Sequence, residues 1–190
     1  EGHGRTVPLD DYHRRDGHGE EKALKLEEHR RDQKVKAVVA LIVTSDSRTM
    51  ESDETGKNAV HLLEEAGHRV SSHVIVPNDT SKIHEMYTRF LIDPEVQVII
   101  TSGGTGISSK DKTVATVSST LEKLIPGFGE LFRRLSFEEI GHAAMSSRAT
   151  AGTIHGKLIF YLPGSKGAME TALREIILPS LGHMLWELNR

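Results

Sequence analysis

The chain has 190 residues, 37% of them hydrophobic, no cysteine, and a formal net charge of −3 from 24 Lys and Arg against 27 Asp and Glu. That length suits one domain better than two, and the missing cysteine excludes a disulfide framework, a thiolate nucleophile, an iron–sulfur cluster and Cys-ligated zinc. The near-neutral balance argues against general nucleic-acid binding, which needs a basic surface to release counterions, and no apolar run approaches the roughly 18–20 residues of a membrane helix.

Residues 1–34 hold nine acidic and eight basic side chains, four His and only six hydrophobic residues. Such a segment cannot bury enough apolar surface to offset the entropy of ordering it. It reads as a charged N-terminal tail, mobile over 1–19, with good helix formers and opposite charges at helical spacing over 20–33. It carries no apolar signal segment, and Arg14-Arg15 is followed by Asp16, which is unlike a twin-arginine signal. The expectation is a soluble, cytoplasmic protein whose domain spans residues 35–190.

The character changes at Val35. Residues 36–45 (KAVVALIVTS) form a nearly unbroken apolar, β-branched run, as a strand covered on both faces requires. Residues 54–66 carry an amphipathic helical pattern that Gly67 ends. A second strand is expected over 69–76. Pro77-Asn78-Asp79-Thr80 then turns the chain, and Asp79 or Thr80 can cap a helix running to about Leu91. Residues 96–101 read as a third buried strand. This strand–helix alternation predicts a mostly parallel sheet covered on both faces. Further helices are expected at about 112–123 and 127–139. A small β-hairpin follows at 148–154 and 157–162, then helices at 165–175 and from Leu178 to about Leu188. The fold class is α/β, a three-layer α/β/α sandwich.

The sharpest feature is Ser102-Gly103-Gly104-Thr105-Gly106, after the third strand. Open parallel sheets bind ligands beyond the carboxyl ends of their strands. Glycines there let backbone N–H groups approach an anion, although a tight turn without ligand would need glycine too. The loop is neither a P-loop nor a complete dinucleotide fingerprint, because position 109 is Ser. Asp111 follows it. A carboxylate beside an anion cradle is unfavourable unless a cation joins it, and Mg²⁺ is the natural partner; Asp111 or Thr113 can also simply cap the next helix. Asp79, in the loop after strand two, would join Asp111 at one edge if strands two and three are neighbours, though capping alone would also explain it. Ser45 and Asp46, in Thr44-Ser45-Asp46-Ser47-Arg48, lie on the same expected edge. Pro163-Gly164-Ser165 opens a late helix, where Gly164 N–H and Ser165 Oγ can hold a phosphate or Ser165 can cap.

Together these segments resemble the MoaB/MogA family of molybdenum cofactor biosynthesis proteins, closest to its MoaB branch. The resemblance covers 35–190 and rests on Thr-Ser-Asp-Ser-Arg at 44–48, Asp53-Glu-Thr-Gly56, Ser-Gly-Gly-Thr-Gly at 102–106 with Asp111, Pro126-Gly-Phe-Gly-Glu130, Leu135-Ser-Phe-Glu-Glu-Ile-Gly141, Ser147-Arg-Ala149, Ala151-Gly152 and Leu162-Pro-Gly-Ser165. It implies a molybdopterin-binding fold and Mg-ATP-dependent adenylylation of molybdopterin with release of pyrophosphate. Asp79 and Asp111 match the carboxylates implied to be catalytic and to hold Mg²⁺; one extra residue, Asn78, separates Pro77 from Asp79 relative to the MogA pattern. Gly103 to Gly106 would cradle a phosphate or the pterin, and Pro163 to Ser165 the pterin phosphate. A homotrimer or homohexamer and hand-off to a MoeA-type metal insertase are also implied. The competing readings are a non-catalytic molybdopterin carrier, a nucleotide-processing enzyme of the CinA N-terminal type and, weakest, an NAD-dependent enzyme.

Overall fold

A computed structural model describes residues 35–190. The proposed tail at 1–34, including its mobile and helical parts, lies outside the described residues. Strand β1 (Val38–Thr44) leads through α1 (Glu54–Glu65) to β2 (Arg69–Val76), and α2 (Thr80–Ile92) leads to β3 (Val98–Ser102). One short helix, α3 (Thr113–Val117), precedes β4 (Lys123–Leu124), and α4 (Pro126–Ile140) precedes β5 (Thr150–Ile154) and β6 (Lys157–Leu162). The chain ends in α5 (Lys166–Thr171), a π-helical segment (Ala172–Ile177) and α6 (Leu178–Asn189).

The six strands form one sheet in the order β2-β1-β3-β6-β5-β4. The first four positions are parallel, and β5 and β4 add antiparallel strands at one edge. The expected hairpin at 148–162 therefore belongs to the main sheet. Alternate residues of the central strands enter opposite layers. Val39, Leu41 and Val43 pack with α1, α4 and the C-terminal helices. Ala40 and Ile42 pack with Ile83, Tyr87 and Phe90 of α2 and Val114 and Val117 of α3. This is why β1 reads as an unbroken apolar run: neither face meets water.

The chain steps from β1 out to β2, then back past β1 to β3. Right-handed crossovers in opposite directions put their helices on opposite faces, and α1 and α2 lie so. Strands β2 and β3 are thus not neighbours, because β1 separates them, but their following loops share the carboxyl edge. The connections diverge between β1 and β3, the crevice where open α/β sheets take ligands.

Two local expectations fail. The helix expected over 112–123 stops at Val117, and its last residues become a 3-10 turn and β4. Val114, Val117 and Leu121 do pack on one cluster, so their spacing mimics a helix. The expected break before Leu178 is absent. Pro179 lacks the N–H for a normal helical bond, and the widened π turn absorbs that loss without stopping the helix.

His68, just after α1, is tied to the residue before β1: its Nδ1 accepts from Ala37 N at 3.1 Å. Burial holds its imidazole below the ordinary value of 6.5. The unfolded chain therefore binds more protons between the two values, so stability is full above 6.5 and falls as pH drops through the folded value. Urea midpoints taken at about pH 7.5 and about pH 5.5, on either side of the ordinary His value, should differ less in His68→Gln than in the parent chain. Equal differences would remove His68 as the source.

Candidate functional site

Three segments interlock at the β1/β3 crevice. Gly103 and Gly104 both have positive φ, 101° and 68°. A Cβ on Gly103 would lie 2.6 Å from Thr44 O, and one on Gly104 would lie 2.2 Å from Thr113 Oγ1. Glycine is thus required by backbone sign and by space. Thr113 is fully buried, and its hydroxyl donates to Thr44 Oγ1 at 3.1 Å. Gly103 N donates to Leu162 O at 2.9 Å, which joins the β3 and β6 exits.

Residues 106–111 form a small ring. Ser108 N donates to Asp111 Oδ2 at 2.9 Å, and Asp111 N returns a bond to Ser108 O at 3.0 Å. Asp111 Oδ1 has no hydrogen-bond partner among the described residues. Neither Asp111 nor Thr113 caps α3, whose N-cap is Lys112 without a side-chain bond. At five residues, α3 also offers little macrodipole. The ring is clamped from outside by Arg148. Its backbone N bonds Thr105 O, Nε bonds Gly106 O and Nη2 bonds Asp111 O, each at 2.8 Å.

A cleft of about 290 Å³ opens beside this loop. Gly104, Thr105, Gly106 and Asp111 form one wall, Pro163, Gly164 and Ser165 another, and Phe132, Ser136 and Ile140 of α4 a third. A second cleft of about 530 Å³ is lined by Ser108, Ser109, Asp111, Lys112, Arg148 and Thr80, among others. A third, polar cleft of about 470 Å³ holds Ser45, Asp46, Arg48 and Asn78 against Gly164 and Ser165. Asp111 thus belongs to two clefts, and the Gly164–Ser165 pair to two.

The remaining candidates take quieter positions. Ser102 and Gly103 are buried beneath the loop. Ser45 Oγ accepts from Ser47 N and Arg48 N. Both Asp46 oxygens accept from Asn78, through its N at 2.7 Å and its Nδ2 at 3.1 Å. Those bonds, with Lys110 and Lys112 more distant, hold the Asp46 carboxyl below its ordinary value. Asp79 is exposed and caps α2 by accepting from Lys82 N at 3.0 Å. It lines none of the three clefts, although its neighbour Thr80 lines the second. Ser165 caps α5 by accepting from Ala168 N at 3.4 Å.

Sequence reasoning gave no role to Arg48, Arg148 or His73. Both arginines stand inside segments that carried the resemblance, and a lone cation in a glycine- and hydroxyl-rich loop was the available signal. The α4 wall was given no role either, although Ser136 and Ile140 stand in the 135–141 segment that carried the resemblance; Phe132 looks like an ordinary helix residue.

Among the described residues, no three His, Asp or Glu side chains converge as a metal cage. Asp111 and Asp79 each leave one carboxylate oxygen unbonded among the described residues, but of the two only Asp111 lines a cleft. A single cleft-facing carboxylate fits Mg²⁺ arriving on a nucleotide, since Mg²⁺ takes one or two carboxylates and completes its shell with phosphate and water. No described helix is long and apolar enough to cross a membrane.

Residues 40–183 match the family described as "Probable molybdopterin binding domain". The chain is similar to "Molybdenum cofactor biosynthesis protein B" of Bacillus cereus, with 43% identity over 168 residues, 88% of this chain and 99% of the relative. Among solved structures, it resembles a "Molybdenum cofactor biosynthesis protein B" at 44% identity and TM-score 0.79, covering 82% of this chain and 98% of that one. It also resembles the "tungsten cofactor synthesizing protein MoaB" of Pyrococcus furiosus at 32% identity and TM-score 0.73, with the same coverage. With its fold, its edge loops and these likenesses in agreement, the chain belongs to the MoaB/MogA family of molybdopterin-binding domains.

Proposed function

We propose that this protein acts in molybdenum cofactor biosynthesis as a molybdopterin adenylyltransferase that uses Mg-ATP. The observation that carries the reading is the place of Asp111, a half-bonded carboxylate on the wall common to two adjoining clefts. A transfer between two phosphorylated substrates needs such a junction, where a carboxylate reaches both sites and could hold a cation that offsets phosphate charge. The pterin phosphate oxygen attacks the α-phosphorus of ATP, a new P–O bond forms, and the α–β bridging bond breaks to release pyrophosphate. Mg²⁺ bound with ATP would supply charge neutralisation for the leaving pyrophosphate. Asp111 and Asp79 would orient that ion, the Gly103–Gly106 loop would hold a phosphate or the pterin, and Pro163–Ser165 the pterin phosphate. The attacking group is the substrate's own, so the protein supplies position and electrostatics. As in the family pattern, a homotrimer or homohexamer would hand its product to a MoeA-type metal insertase.

One observation favours a non-catalytic carrier instead: Asp79 is fully explained as the cap of α2 and lines none of the clefts. Purified protein incubated with molybdopterin, ATP and Mg²⁺ separates the two. Equal amounts of pyrophosphate and adenylyl-molybdopterin support the transferase, and EDTA should abolish both. Pterin binding without pyrophosphate release supports the carrier, and no pterin binding overturns both.

A further inference from the structure

A chain of ionisable side chains, Arg48, Asp53 and His73, runs from the edge strand β2 to the Gly164 loop and has no part in the proposed reaction. Arg48 Nη2 donates to Gly164 O at 2.8 Å, and Thr55 Oγ1 reaches the same oxygen at 3.5 Å. Arg48 Nη1 stands 3.6 Å from Asp53 Oδ1. The Asp53 side chain has no exposed surface, and its Oδ2 is 2.9 Å from His73 Nε2, on a ring that is 11% exposed. Asp53 Oδ1 also caps α1 through Gly56 N at 3.1 Å. The Asp53–His73 pair lies directly over Gly56, where a Cβ would meet both partners at 2.1 and 2.2 Å.

A cap alone does not require this arrangement. An exposed Ser, Thr or Asn would cap α1 as well, without the desolvation cost of a buried carboxylate. The arrangement does fix one guanidinium onto the Gly164 carbonyl, in the loop that opens α5, and so fixes the orientation of that peptide group; the rigid fork of Arg is suited to that task. The same loop stands between two clefts, so its orientation bears on both.

We propose that Arg48, aimed by Asp53 and backed by His73, is a positioning residue that sets the Pro163–Ser165 loop to receive the phosphate of the pterin substrate. The proposal rests on the reading of this site as one for molybdopterin. Dissociation constants for molybdopterin and for ATP, measured separately on the full chain, test it. Arg48→Met, which keeps the aliphatic stem, should weaken molybdopterin by roughly tenfold or more, the scale of one charged hydrogen bond. ATP binding should change less than about twofold, a margin well below one such bond. Arg48→Lys should recover part of the loss, because an ammonium can still reach Gly164 O but cannot hold Asp53 with a separate, rigidly spaced nitrogen. His73→Leu leaves Arg48 and Asp53 in place and should show a smaller loss of the same kind, so it serves if Arg48→Met is poorly folded. Unchanged molybdopterin affinity in Arg48→Met, or equal weakening of both ligands without rescue by Lys, overturns the positioning role. Parent protein that binds no molybdopterin overturns the site reading, and the proposal with it.

Discussion

Asp111→Asn is expected to lower adenylylation of molybdopterin by about 10²–10³-fold, because metal-assisted charge stabilisation is worth several kcal/mol. The substitution tests the metal role rather than the loop. Asn keeps an oxygen to accept the Ser108 N–H that Asp111 now receives at 2.9 Å. The Arg148 clamp grips the main-chain carbonyl of residue 111, which the substitution leaves in place. What disappears is the negative charge and the second carboxylate oxygen. Molybdopterin binding should therefore persist while pyrophosphate release falls. Asp79→Asn is a parallel case, since Asn caps a helix as well as Asp does, so the bond from Lys82 N survives. A fall in turnover there would show a role beyond capping. Full turnover in both variants would end the metal–carboxylate assignment and favour the carrier.

The second large effect is on the fold. Gly104→Ala should destabilise the protein by about 2–5 kcal/mol, the sum of a left-handed backbone penalty and overpacking against a fixed neighbour. The new methyl would meet Thr113 Oγ1 at 2.2 Å and Thr113 N at 2.8 Å. Thr113 cannot yield cheaply, because it is fully buried and its hydroxyl is bonded to Thr44. For a domain of this size the melting temperature should fall by roughly 10 °C. Gly127→Ala is the control: it lies in α4, where an added Cβ meets nothing within 4 Å, and should be near neutral. Similar melting temperatures for Gly104→Ala and the parent would show that the loop can move away from Thr113.

These two cases mark where the sequence was informative. The composition of residues 102–106 announced a loop that needs positive φ, and β3 before it placed the loop at a strand end. The α/β class and the placement of α1, α2 and the first three strands also followed from pattern. Apolar runs and amphipathic periods report burial directly, and burial here comes from layers stacked on both faces of a sheet. Short-range capping by Asp79 and Ser165 was legible for a similar reason: each bond spans only three residues.

Contacts between distant segments were not legible. That β1 lies between β2 and β3, that β4 completes the sheet, and that Asp111 stands between two clefts all depend on how the crossovers turn. The same holds for Arg48 reaching Gly164 across 116 residues and Arg148 reaching Asp111 across 37. A guanidinium that closes on main-chain carbonyls leaves no mark in periodicity or composition, because its partners are carbonyls that every residue has. By itself, then, a chain of 190 residues with a charge near zero and no cysteine determined its layers, its glycine loop and its family resemblance. Only the tertiary structure decided which carboxylates meet a cleft and which cations hold its loops, since those depend on strand order and side-chain reach rather than on any local preference.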